Sequence, residues 1–209
     1  MAKDQDRRSW RFPFHMDIQT RWLDNDQYGH LNNSTYYLIT DTITNTYLID
    51  HCGIQPYQHP NGQSQLAKES SPERIEPSEE RKRPTSDSVI GLVISSSGDF
   101  YAPTSFPNLL RVGLRIVHLG NSSVTYEVGI FEVPATDPAR CSSSLSSHAD
   151  KYSLPKDALA AVITRKTHVF VDRQSRKPVK PMPLQLQHGL SKLKVDGITS
   201  KESNTSAKL

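Results

Sequence analysis

The stretch from Trp22 to Tyr37 constrains the fold more than any other part of the chain, because it joins two different hydrophobic periodicities. Before it, apolar and polar side chains alternate, which is typical of a half-buried strand and predicts one over residues 13–23. After it, large side chains recur at spacings of three and four, as on one face of a helix: Tyr36, Ile39, Ile43 and Tyr47. We therefore predict a helix over residues 34–52, ended by Gly53.

The join between strand and helix carries two carboxylates, Asp24 and Asp26, and one imidazole, His30. A helix N-terminus offers unpaired N–H donors and about half a positive charge, so it polarises a carbonyl group placed there. Asp26 lies just before that terminus and can attack such a carbonyl or activate a water for it. The same residues also suit a polar turn whose aspartates only cap the helix. Spacing alone leaves both interpretations open.

Residues 24–33 read D-x-D-x-x-G-H-L-N-N, and a pair of tyrosines follows after two further positions. This pattern resembles the motif of the 4-hydroxybenzoyl-CoA thioesterase family of hotdog-fold proteins. The resemblance implies that Asp26 is the catalytic carboxylate. It also implies that the backbone N–H of Asn33, at the start of the central helix, binds the oxyanion.

Other positions of the motif receive supporting roles. The resemblance implies that Asp24, Gly29 and Asn32 shape the turn. His30 has two open roles, because an imidazole titrates near neutrality and can act as a general base, or can hydrogen-bond within the turn. The remaining histidines on predicted elements have no carboxylate or cysteine at metal-ligand spacing, so no metal site is expected.

The rest of the chain predicts four strands after the helix, joined by hairpin-like turns. One helix followed by such a series indicates an α+β fold with an antiparallel sheet covering the helix. The hotdog fold has this form, with the sheet wrapped around one long central helix. The resemblance also implies a homodimer or homotetramer with active sites between subunits. A short helix is expected near residues 184–193.

Domain organisation follows from composition along the chain. We predict a polar arm over residues 1–12, one hotdog domain over residues 13–194 and a flexible tail over residues 195–209. Two segments within the domain, 55–88 and 134–157, are polar and read as insertions, because they hold too little apolar surface to offset their ordering entropy.

Net charge, hydropathy and the C-terminal tripeptide bear on partners and location. The 25 basic and 22 acidic side chains nearly cancel, so a nucleic-acid partner is not expected. No apolar run approaches the length of a membrane span, and the two cysteines form no C-x-x-C pair. The last three residues, Ala207-Lys208-Leu209, resemble a peroxisomal address read by an import receptor; without it a cytoplasmic location is expected.

The sequence therefore predicts an acyl-CoA thioesterase that hydrolyses a thioester to a free acid and CoA. CoA is part of the substrate, so no separate cofactor is expected. One alternative is a non-catalytic hotdog protein that binds acyl-CoA. Another is a hotdog enoyl-CoA hydratase, which the spacing disfavours because those enzymes place Asp and His five residues apart, whereas Asp26 and His30 are four apart. The acyl group is not predicted.

Overall fold

One long helix, α1 (Asn33–Cys52), lies against a five-stranded antiparallel sheet in the computed structural model of the protein. The structure describes residues 4–55, 86–133, 154–155 and 157–195. The strands are β1 (Phe14–Gln19), β2 (Val89–Phe100), β3 (Leu109–Leu119), β4 (Ser123–Val133) and β5 (Val162–Asp172), and a short helix α2 (Leu184–Ser191) follows. This arrangement confirms the predicted α+β fold with a central helix.

The strands lie in the order β1-β3-β4-β5-β2, and every neighbouring pair is antiparallel. The β3–β4 hairpin occurs where predicted, and it is closed by the N–H of Gly120, which donates to the carbonyl of Ser123 at 2.8 Å. The predicted hairpin between the first two strands after α1 is wrong. β2 pairs with β5 at the far edge of the sheet, and the chain then crosses to β3. β2 runs without interruption from Val89 to Phe100.

α1 begins and ends at the residues that favour helix termini. The side chain of Asn32 accepts the N–H of Ser34 at the N-cap. At the other end Gly53 adopts φ 69°, a left-handed conformation that glycine tolerates best. The predicted helix is therefore confirmed, with one extra residue at its start.

The core lies between α1 and the inner face of the sheet. Ile43 from the helix, Leu114 from β3 and Val128 from β4 are fully buried there. A polar contact crosses the same layer, because the hydroxyls of Thr40 and Thr164 lie 2.5 Å apart. The helix that carries the candidate site is thus fixed against the sheet by both apolar packing and a buried hydrogen bond.

The predicted strand over residues 13–23 is too long. β1 ends at Gln19, and Trp22 lies in a 3₁₀ turn with 76% of its surface exposed. The cause is local, because the carboxylate of Asp24 accepts the backbone N–H of Arg21 at 2.7 Å and closes the turn.

Several predictions fall outside the described residues: most of both insertions, Cys141, and the tail with Ala207-Lys208-Leu209. These stay predictions. Within the described part of the chain, no helix is long and apolar enough to cross a membrane.

Candidate active site

The carboxylate of Asp26 is held by the turn in which it lies. Its Oδ1 accepts the backbone N–H of Tyr28 at 2.8 Å and that of His30 at 3.3 Å. The N–H of Asp26 in turn donates to the carbonyl of His30 at 2.7 Å. The other oxygen, Oδ2, has no hydrogen-bond partner among the residues the structure describes. The half-buried carboxylate is therefore fixed through one oxygen and leaves the other available for chemistry.

Among the described residues, the start of α1 presents one backbone donor without an acceptor. The side chain of Asn32 accepts the N–H of Ser34 at 2.9 Å, and its carbonyl accepts the N–H of Thr35 at 2.9 Å. The N–H of Asn33, the first residue of the helix, meets no acceptor within the described ranges. The helix dipole adds positive potential at this point. The site therefore combines a carboxylate with a donor suited to a carbonyl oxygen.

Asp24 occupies a different environment from Asp26. Its side chain is buried, and Arg21 donates to it from Nε at 3.1 Å and from Nη2 at 2.8 Å. These hydrogen bonds hold the pKa of Asp24 below its usual value. Its carbonyl oxygen accepts the N–H of Asn32 at 2.8 Å, so Asp24 connects the turn to the helix cap.

Gly29 and His30 contribute to the turn through their backbone. Gly29 has φ 78°, a conformation that side-chain-bearing residues adopt at a cost, and its N–H donates to the carbonyl of Asp26 at 3.3 Å. The imidazole of His30 is exposed and makes no hydrogen bond to any residue in the described part of the chain. The hydrogen bonds between His30 and Asp26 in the described structure use the main-chain N–H and carbonyl of His30.

A connection between β2 and β3, which the sequence did not single out, contacts the turn directly. The N–H of Leu31 donates to the carbonyl of Thr104 at 2.8 Å, and the N–H of Phe106 donates to Oδ1 of Asn25 at 3.0 Å. The hydroxyl of Tyr36 lies 2.9 Å from that of Thr104, and burial raises the pKa of this tyrosine. Nothing in the local sequence marks Thr104, because its partners lie about seventy residues earlier.

Glu132 is a second residue that the sequence analysis missed. Its Oε1 accepts the N–H of Ser105 at 2.7 Å and the side-chain amide of Asn108 at 2.9 Å. The sequence pattern could have identified Glu132, because it occupies the next position in the series of alternate, inward-facing apolar residues along β4: Val124, Tyr126, Val128 and Ile130. A carboxylate at an inward-facing position is unusual and indicates a specific hydrogen-bond or ion-pair partner.

Other chemistries find little support in the described residues. They contain no group of three or more His, Cys, Asp or Glu side chains that can hold a metal ion. Cys52 is fully buried, and burial raises the pKa of its thiol to about 12, so it is a poor nucleophile.

Comparison with known proteins agrees with this architecture. The family model of the thioesterase superfamily matches residues 28–138, a range that begins two residues after Asp26. The PA5185 protein from Pseudomonas aeruginosa is 33% identical, with a TM-score of 0.61 over 89% of this chain and 94% of that one. A search of curated proteins found no significant match.

Two more distant structures share the fold. A 1,4-dihydroxy-2-naphthoyl-CoA thioesterase from Synechocystis is 13% identical, with a TM-score of 0.52 over 85% of this chain and 95% of that one. The SAV2348 protein from Staphylococcus aureus, solved in complex with CoA, is 10% identical, with a TM-score of 0.54 over 87% of this chain and 86% of that one. The family match and the 33% identity together decide the assignment: the chain belongs to the thioesterase superfamily and is a thioester hydrolase.

Proposed function

We propose that the protein is an acyl-CoA thioesterase in which Asp26 is the catalytic carboxylate and the N–H of Asn33 binds the oxyanion. One observation carries the proposal. The carboxylate of Asp26 is anchored through Oδ1, while its Oδ2 has no hydrogen-bond partner among the described residues. Seven residues later, at a helix N-terminus, the N–H of Asn33 also has no acceptor in that part of the chain.

The reaction needs a donor that binds the carbonyl oxygen of the thioester and a carboxylate that acts at the carbon of the same carbonyl group. The thioester oxygen accepts the N–H of Asn33, where the helix dipole stabilises the negative charge that develops. Oδ2 of Asp26 then either attacks the carbonyl carbon or removes a proton from a water that attacks it. The carbon–sulfur bond breaks, and the thiolate of CoA leaves. In the first route, water afterwards hydrolyses the mixed anhydride and regenerates Asp26. In the second route, the proton that Oδ2 took from the water passes to the CoA thiolate, which restores the carboxylate.

CoA esters are the proposed substrates for two reasons. The motif over residues 24–33 resembles that of acyl-CoA thioesterases. In addition, two proteins of the same fold bind CoA or act on a CoA ester. The Staphylococcus aureus neighbour was solved in complex with CoA, and the Synechocystis neighbour is a 1,4-dihydroxy-2-naphthoyl-CoA thioesterase.

A homodimer formed through β2 is part of the proposal. β2 is an edge strand of 12 residues, so one row of its backbone groups has no strand partner among the described residues. Val93 and Ile94, at its middle, are 53% and 63% exposed. A second copy that pairs along this edge satisfies the backbone groups and covers both side chains. Sedimentation analysis of the wild-type chain and of Ile94→Lys, with loss of the dimer expected in the variant, tests this contact.

The decisive experiment measures thiol release from a panel of aromatic, short-chain and long-chain acyl-CoA esters by wild type and Asp26→Asn. The asparagine keeps an oxygen that accepts the two N–H groups of the turn, so the fold is retained. We expect the loss of the carboxylate to lower kcat by at least about 100-fold. Asp17→Asn is the matched control, because Asp17 pairs with Arg111 on the outer face of the sheet.

Two results contradict the proposal. Equal thiol release by wild type and Asp26→Asn removes Asp26 as the catalyst. Binding of acyl-CoA without release of thiol from any ester supports the alternative of a non-catalytic binding protein.

A further inference from the structure

The turn that carries Asp26 is attached at both of its ends to one short segment, Thr104–Phe106. At the first end, Oδ1 of Asn25 accepts the N–H of Phe106 at 3.0 Å. At the second end, the N–H of Leu31 donates to the carbonyl of Thr104 at 2.8 Å. Asn25 and Leu31 also face each other as an antiparallel bridge that closes the turn. The position of this segment therefore fixes the position of Asp26.

The same segment is attached to the helix that supplies the oxyanion donor. Thr104 is 1% exposed, and its hydroxyl lies 2.9 Å from the hydroxyl of Tyr36 in the first turn of α1. Leu31 itself stands two residues before Asn33, the first residue of that helix. Displacing the segment consequently moves the carboxylate of Asp26 relative to the N–H of Asn33.

Glu132, on strand β4 of the sheet, binds this segment through hydrogen bonds. The middle residue, Ser105, donates its N–H to Oε1 of Glu132 at 2.7 Å, and its hydroxyl lies 3.5 Å from the same oxygen. Asn108, just beyond the segment, donates its side-chain amide to Oε1 at 2.9 Å. Hydrogen bonds to a charged acceptor are stronger than those between neutral groups. Glu132 lies near the end of β4, and its hydrogen bonds within the described part of the chain go to Ser105 and Asn108 and not to the turn.

We propose that Glu132 is a positioning residue for thioester hydrolysis, which acts through the segment Thr104–Phe106 to set the distance between the carboxylate of Asp26 and the N–H of Asn33. The inference rests on the proposed roles of those two groups. A misplacement of about 1 Å between reacting groups costs on the order of 100-fold in rate. Because Glu132 affects the relative placement of the reacting groups, its loss lowers kcat more than it changes KM.

The experiment compares wild type with Glu132→Ala and Glu132→Gln on the best ester of the panel. We expect Glu132→Ala to lower kcat by about 10- to 100-fold with KM changed by less than about threefold. Glu132→Gln keeps the acceptor oxygen and is expected to retain at least about a third of kcat, since neutral hydrogen bonds remain. Asp17→Ala, which removes an ion pair with Arg111 elsewhere on the sheet, controls for general loss of stability and is expected to keep wild-type kcat.

A double-mutant cycle separates positioning from a merely structural role. Asn25→Ala removes the acceptor of the Phe106 N–H, so it releases the same segment from the other side. If both residues act through the segment, the double variant Asn25→Ala/Glu132→Ala has nearly the kcat of the worse single variant. Multiplicative effects on kcat overturn the proposal. If Glu132→Ala does not fold, Glu132→Asp, which withdraws the oxygen by one methylene, replaces it in the cycle.

The outcomes also distinguish this inference from the proposed function. Loss of activity in Asp26→Asn together with unchanged kcat in a folded Glu132→Ala overturns the role of Glu132 alone. Full activity in Asp26→Asn overturns the proposed catalyst, whatever the Glu132 variants do, and with it the positioning role.

Discussion

The imidazole of His168 lies edge-on to the ring of Tyr126 beneath α1, with 5.4 Å between the ring centroids. His168 is 2% exposed, and its Nδ1 has no hydrogen-bond partner among the described residues. Burial is the main reason why the pKa of His168 falls from 6.5 to about 4; the charge of Lys166 adds to this effect and that of Asp41 opposes it. The folded protein therefore keeps this imidazole neutral where the unfolded chain protonates it.

This difference makes stability depend on pH. Above about pH 6.5 the side chain is neutral in both states and imposes no penalty. As the pH falls from 6.5 towards 4, the unfolded state gains a proton that the folded state refuses, so the free energy of unfolding decreases by about 3 kcal/mol. Urea unfolding at pH 7 and pH 4.5 measures the loss. His168→Gln is expected to reduce this dependence, whereas the exposed His188→Gln leaves it unchanged; an unaltered slope in His168→Gln contradicts the prediction.

Removing Glu127 is expected to destabilise the fold strongly. Its buried carboxylate accepts from Nε of Arg115 at 2.8 Å and from Nε of Arg165 at 2.7 Å, and Arg115 is fully buried. Glu127→Ala leaves that guanidinium without its counter-ion, at a cost of about 3–5 kcal/mol in the free energy of unfolding. Denaturant titration measures the loss. The double variant Arg115→Met/Glu127→Leu is expected to recover most of it, because an apolar pair has no charge to desolvate.

Gly129→Ala is expected to displace the N-terminal segment from the outer face of the sheet. A Cβ at Gly129 would lie 2.6 Å from Cζ of Phe12, whose ring is buried against Phe131 with 5.7 Å between centroids. Such overpacking costs about 1–3 kcal/mol. Thermal unfolding of Gly129→Ala and of Gly129→Ala/Phe12→Leu tests the contact, since the smaller side chain makes room for the methyl group. Equal melting temperatures in these two variants would count against it.

Gly29→Ala is expected to act through the backbone alone. Apart from its two chain neighbours, no described residue places an atom within 4 Å of a Cβ at Gly29, so the methyl group has room, but φ 78° costs an alanine about 1 kcal/mol. Gly29→Asn is expected to cost less, since asparagine tolerates this region better. Stability measured by urea titration should therefore rank wild type above Gly29→Asn and Gly29→Ala last.

His30→Ala is expected to lower kcat by less than about tenfold, well short of the loss in Asp26→Asn. The reason is that the hydrogen bonds from His30 to Asp26 in the described structure use its main-chain N–H and carbonyl, which the alanine retains. Steady-state kinetics of the two variants on the same ester provides the comparison. A fall of two orders of magnitude in a folded His30→Ala would instead give the imidazole a direct part in the reaction.

The sequence by itself determined the features that depend on neighbours along the chain. The central helix and its Gly53 terminus follow from the hydrophobic period and from hydrogen bonds that span a few residues. The β3–β4 hairpin is local for the same reason. The motif over residues 24–33 likewise indicated the turn and the helix start, because its carboxylate, glycine and cap act on one another within ten positions.

Only the tertiary structure decided which distant segments meet. β2 pairs with β5 and not with β3, the next strand along the chain. No local pattern predicts this pairing, because it joins residues far apart in sequence. The contacts of Asn25 with Phe106 and of Ser105 with Glu132 likewise join residues 81 and 27 positions apart. The sequence marks Glu132 as a carboxylate on an apolar face, but the partner that ties it to the segment is the backbone N–H of Ser105, a group that every residue except proline carries. The fold alone therefore selects the segment that Glu132 holds and, through it, the geometry of the candidate site.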